Sequence, residues 1–125
     1  MINKQAYINS FNQNIDMIKG DTLSFNFILK GLGGNPDSII FACAEKYGET
    51  PIFTASVGDG ITLETYDTLT DTATYSVWVD PVKTYNLDAG RYNYDLQITH
   101  NDDVFTLMRG SLTLLNDITR GLNDD

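Results

Sequence analysis

The stretch Leu87-Asp88-Ala89-Gly90-Arg91-Tyr92-Asn93-Tyr94-Asp95-Leu96 decides the fold. From Tyr92 onward, Tyr92, Tyr94, Leu96 and Ile98 alternate with Arg91, Asn93, Asp95, Gln97 and Thr99, the period-two pattern of a strand with one buried face. Ahead of it, Leu87-x-x-Gly90-x-Tyr92 has the spacing of a tyrosine corner. In such a corner the chain crosses from one sheet to the other and enters the next strand at a Tyr, whose hydroxyl bonds to backbone a few residues upstream. Gly90 lets the backbone turn where a side chain would collide. Leu87, Gly90 and Tyr92 are therefore expected to be structural residues.

Outward from that strand the same alternation recurs. Leu23, Phe25, Phe27 and Leu29 alternate with polar residues, Ile28 being the exception. Ser38 to Tyr47 begins apolar on both faces, as a central strand does. Ile52 to Val57 and Ile61 to Thr65 are short strands parted by Gly58-Asp59-Gly60, and Tyr66 to Thr72 reads as a polar loop. Tyr75, Val77 and Val79 share one face of the next strand, Thr74, Ser76 and Trp78 the other, and Pro81 ends it.

The last hairpin allows a register to be set. Asn101-Asp102 suits a two-residue turn with positive φ, which pairs Ile98 with Phe105 and Leu96 with Leu107. Continued, that register turns Arg109 inward opposite Tyr94 and gives Leu112 and Leu114 the wrong parity. One extra residue near Arg109-Gly110 removes both conflicts. A β-bulge is expected there, with Gly110 supplying its backbone angle. Seven or eight strands at this spacing predict an all-β, immunoglobulin-like β-sandwich with a tyrosine corner.

Composition agrees. The chain has 125 residues, enough for one domain without a metal or disulfide. Its acid is 14 Asp against three Glu, and Asp favours turns where Glu favours helices. A net charge of −9 argues against nucleic acid, which needs a basic face. No stretch has the length and apolarity of a secretory leader or membrane span. The expected organisation is an N-terminal arm over 1–14, the sandwich over 15–120 and a polar tail over 121–125.

Catalytic chemistry finds few residues to use. His100, the single histidine, sits beside the turn Asn101-Asp102-Asp103, where a solvated side chain is expected, without partner or pocket. Cys43, the single cysteine, lies in the apolar run Ile39 to Ala44 and is expected to be a buried, inert thiol. The aspartate pairs Asp67/Asp71, Asp102/Asp103 and Asp124/Asp125 lack the ligand spacing of calcium loops. No catalytic residue, metal site or cofactor is expected.

Candidate interface residues are aromatic. Strict alternation turns Trp78 to the polar face, either exposed as an interface or covered by the 66–72 loop or the N-terminal segment. Tyr66 and Tyr85 flank the same stretch and would form a shared patch, able to bind protein or to stack on sugar. Tyr7 and Phe11 give the N-terminal arm apolar contacts for a neighbour.

A wider pattern carries a resemblance. Gly20-Asp21-Thr22, Ile61-Thr62-Leu63, Thr84-x-x-Leu87-x-x-Gly90-x-Tyr92-x-Tyr94-Asp95-Leu96-Gln97-Ile98, Thr106-Leu107-x-x-Gly110-x-Leu112-x-Leu114 and Asp117-Ile118-Thr119-Arg120 follow one another along residues 15 to 120. This pattern resembles immunoglobulin-like domains of bacteriophage virions, including N-terminal modules of upper baseplate proteins and small capsid or tail accessory proteins. Asp88-x-Gly90-x-Tyr92 also resembles the signature of immunoglobulin variable domains, with Tyr94 where their Cys stands. The phage resemblance implies a non-enzymatic adaptor or decoration protein located in the virion. Its partners would be other virion proteins and copies of itself, with neither nucleic acid nor membrane. The alternative is a carbohydrate-binding or cell-surface adhesion module.

Overall fold

A computed structural model describes residues 11–116, with side chains from residue 13. Nine strands appear: β1 (Phe11–Asn12), β2 (Ile15–Ile18), β3 (Leu23–Lys30), β4 (Ser38–Ala44), β5 (Phe53–Val57), β6 (Gly60–Asp67), β7 (Thr72–Val79), β8 (Gly90–His100) and β9 (Asp103–Leu115). A one-turn helix, α1 (Val82–Tyr85), lies between β7 and β8. β3 to β9 are the seven strands of the body. β1 and β2 come from the N-terminal segment and run parallel to β9 along its outer edge.

On one side β9, β8, β4 and β5 lie in that order; on the other β6, β7 and β3. This is the arrangement of an immunoglobulin-like sandwich. Hydrogen bonding also runs from one half to the other, through a two-pair parallel step, Ser56↔Gly60 and Val57↔Ile61. The ladder is therefore continuous from β9 to β3. The inner faces meet where the ring of Phe25 in β3 packs edge-on against Phe41 in β4, centroids 5.7 Å apart. Phe41 also stacks on Tyr94 at 5.4 Å. Leu96, Ile98, Val77, Val79, Ile61 and Leu112 complete a fully buried centre. Each such side chain contributes about 1.5–3 kcal/mol of transfer free energy.

The corner forms as expected. Tyr92 Oη donates to the carbonyl of Asp88 at 2.8 Å. Gly90 stands at φ +152°, a conformation L residues rarely take. Thr84 in α1 is fully buried and accepts the N–H of Gly20 at 2.8 Å, tying this crossing to the β2–β3 turn. Leu87 is half-buried against the core.

Three expectations need correction. First, the β8–β9 ladder slips between Gln97↔Thr106 and Leu96↔Met108, so the extra residue is Leu107. Leu96 faces Met108, and pairing runs regularly through Tyr94↔Gly110. Leu107 and Met108 are both buried, and the slip turns Arg109 outward opposite Asp95. Gly110 is required for a different reason: a Cβ there would overlap the carbonyl of Gln13, where the N-terminal segment crosses β9. Second, the loop expected over 66–72 is shorter: β6 continues to Asp67 and β7 starts at Thr72, leaving a turn over 68–71, and a bulge between Leu63 and Thr65 keeps the two strands paired. Third, His100 is buried, 8 % exposed, because it pairs with Asp103 inside the hairpin rather than at its tip. The tip is Asn101-Asp102, with φ 50° and 68° as the sequence required.

Candidate functional site

Of the proposed interface residues, Trp78 stands out on the surface at 50 % exposure. It belongs to the outer face of β3–β7–β6, opposite Ser24, with Ser76 opposite Asn26 and Ile28 opposite Thr74. Ile28 is 56 % exposed on that face. The hydroxyl of Ser76 donates to Glu64 at 2.7 Å. The face is thus a lawn of small hydroxyl and amide side chains carrying two large apolar groups.

The shared aromatic patch does not form around Tyr66. Tyr66 pairs with Ala73, five residues along β7 from Trp78, a distance of about 17 Å at strand rise. Its hydroxyl donates to Asp71 Oδ1 at 2.8 Å, and that bond to a carboxylate pushes the phenol pKa up. Asp71 in turn accepts the N–H of Gly33 at 2.8 Å, so Tyr66 belongs to a loop-holding network. Tyr85 is half-buried in α1, at the Trp78 end. Tyr7 and the side chain of Phe11 lie outside the described residues.

Cys43 is fully buried, and desolvation pushes its thiol up to about 12, as expected of an inert core cysteine. Among the described residues no group of three or more His, Cys, Asp and Glu is placed to hold a metal, and no helix is long and apolar enough to cross a membrane.

Sequence reasoning missed the outer face of the other sheet. There a cavity of about 350 Å³ is lined by Arg91, Arg109, Asn14, Asn93, Ser111 and Tyr47, with Gly110 in its floor. Arg91 lies opposite Thr113 and Arg109 opposite Asp95. The guanidinium of Arg109 sits 4.3 Å over the ring of Tyr47. Tyr47 is itself fixed by its hydroxyl, which reaches the carbonyls of Gly110 at 2.9 Å and Tyr94 at 3.3 Å. Burial raises the pKa of Asp95, with Arg109 acting against the rise. A signal was present in the sequence: two of only three arginines in a strongly acidic chain fall on polar-face positions of adjacent strands. Tyr47, 62 residues before Arg109, carried none.

No family model and no curated protein matches this chain. Among solved structures it is similar to a family 123 glycoside hydrolase from Clostridium perfringens, with TM-score 0.52 and 12 % identity over 85 % of this chain. The chain spans 23 % of that enzyme's length, and the likeness is one of fold. It also aligns with a structure of the cell-adhesive VGSC beta subunits, with TM-score 0.42 and 15 % identity, over 85 % of this chain and 93 % of that one.

Proposed function

We propose that this chain is a non-enzymatic bacteriophage structural protein, an adaptor or decoration domain that seats on other virion proteins. The observation that carries the binding role is the outer face of β3–β7–β6, where Trp78 and Ile28 stand half-exposed. A half-exposed Trp on a strand is a costly residue to leave in water and the kind that anchors an interface. Support for the virion setting comes from the Gly90-x-Tyr92-x-Tyr94-Asp95-Leu96 run and its neighbours. In that setting the protein acts by burying this face against its partner, with copies arrayed by the symmetry of the particle.

The test is recovery with particles. The tagged chain is expected to co-purify with phage particles produced from its own genome, at fixed stoichiometry. Trp78→Ala combined with Ile28→Asn is expected to reduce occupancy at least tenfold while the free protein keeps its melting temperature. Absence of the wild-type chain from purified particles refutes the reading. Binding to a glycan array that is lost in Trp78→Ala would instead favour the carbohydrate-binding alternative.

A further inference from the structure

We infer that the Arg91–Arg109 cavity on the outer face of β9–β8–β4 binds the carboxylate of an acidic sugar residue. This site lies on the opposite sheet from Trp78 and does not depend on the virion reading.

Its charge pattern is local. The chain carries −9 overall, yet no carboxylate lines this cavity, and two guanidinium groups do. Asp95, across the ladder from Arg109, feels its charge but does not line the cavity. Guanidinium offers a planar fork of N–H donors that matches a carboxylate edge-on. Arg109 is held in place before any ligand arrives, because one of its faces rests on Tyr47 and Tyr47 is pinned to two backbone carbonyls. Such preorganisation lowers the entropy lost on binding.

The remaining lining points to a sugar rather than a peptide. Asn93 spends one amide N–H on the carbonyl of Glu45 at 3.0 Å, which leaves its oxygen as an acceptor. Asn14 accepts the N–H of Ser111 with its oxygen at 3.2 Å, which leaves its amide N–H groups as donors. The Ser111 hydroxyl adds both roles. Donors and acceptors side by side suit vicinal hydroxyls. A protein anchor needs an apolar pocket for a large side chain, and here Tyr47 is the single large apolar group. About 350 Å³ falls at the small end of ligand pockets, enough for one ring. A polyanionic run is disfavoured, because beyond the local site the excess aspartate repels it over roughly a Debye length, about 10 Å at 0.1 M salt.

The experiment is an amide-shift titration of the full 15N-labelled chain. The probes are glucuronic acid and N-acetylneuraminic acid, with glucose, acetate and a short neutral peptide bearing a free C-terminal carboxylate as comparisons. At least one acidic sugar is expected to shift Gly110, Ser111 and Asn93 saturably, and to bind at least tenfold more tightly than every comparison. Arg91→Gln and Arg109→Lys are each expected to weaken it about tenfold or more, the latter because Lys keeps the charge but loses the fork. Retained β8–β9 amide dispersion shows that the variants are folded. Trp78→Ala is expected to leave the titration unchanged. The inference is overturned if neither acidic sugar shifts these amides. It is equally overturned if acetate or the peptide binds as well as the sugars, or if the folded arginine variants bind like wild type.

Discussion

The hydroxyl of Tyr94 donates a 2.6 Å hydrogen bond to the carbonyl of Gln13, 81 residues earlier in the chain. It is a clasp between the central strand β8 and the segment joining β1 to β2. Tyr94 is buried to 1 % exposure, and desolvation pushes its phenol up to about 12. Tyr94→Phe is expected to cost about 1 kcal/mol at neutral pH, the net worth of one such bond. The sign of the pH effect follows from the direction of the shift. A raised phenol pKa keeps the neutral form in the fold, so its contribution is complete below the unfolded value near 10 and is lost as pH rises toward 12. Urea midpoints measured between pH 8 and 12, as an order-of-magnitude window about those pKa values, should therefore fall less steeply in the variant than in wild type.

Gly110 sits beneath the same crossing. Because an added Cβ would overlap the Gln13 carbonyl, Gly110→Ala must lift the N-terminal segment off β9. We expect a loss of about 2–3 kcal/mol, typical of overpacking against backbone. Hydrogen exchange should accelerate at Gln13, whose N–H otherwise donates to the backbone carbonyl of Arg109 at 2.9 Å. Equal stability and unchanged exchange in the variant would contradict the close approach.

Cys43 should be inert in the native state. With its pKa pushed from 9.0 to about 12, the thiolate fraction at pH 8 falls about a thousandfold, before steric exclusion is counted. Labelling with a thiol-reactive disulfide reagent is expected to be slower by at least that factor in native protein than in guanidinium. Rapid native labelling would show that the β4 core is open.

Asp95 sits half-buried opposite Arg109, with its pKa raised chiefly by burial. A carboxyl whose pKa is raised on folding favours the fold when protonated, so its ionisation costs stability once pH exceeds the unfolded value near 4. Asp95→Asn should therefore stabilise at pH 7 and lose that advantage toward pH 3, a window set by the ordinary carboxyl pKa of about 4. The gain should stay under about 1 kcal/mol, because the group remains partly solvated and screened. A melting temperature lowered at pH 7 would mean that attraction to Arg109 outweighs desolvation.

Much of the fold was legible because its signals are local. Tyr75, Val77 and Val79 announce a buried face by alternation, and all three are buried. Asn101-Asp102 announces its turn by tolerance of positive φ, and Leu87, Gly90 and Tyr92 announce the corner by spacing. What escaped was non-local. Parity required one slip between Leu96 and Leu112 but did not say where, and both Leu107 and Met108 proved able to bury at it. The reason for Gly110 lies in Gln13, nearly the whole chain away. His100 keeps the inward parity of Ile98 to the end of β8, and in the 31–37 loop Asp37 accepts the N–H of its neighbour Asn101 at 3.0 Å. The arginine cavity needed Tyr47 and Asn14 brought beside β9, which alternation within one strand does not report.

The parallel run of β2 beside β9 has a mechanical consequence. Four consecutive pairs, Ile15↔Leu112 to Ile18↔Leu115, join strands pointing the same way. Tension pulling the chain before β1 away from the chain after β9 would stress these bonds together, along the strands, instead of peeling them one by one. The Tyr94 clasp lies at the upstream end of that seam. A domain tethered at both ends would resist stretching as a shear joint, yielding only when several hydrogen bonds fail at once.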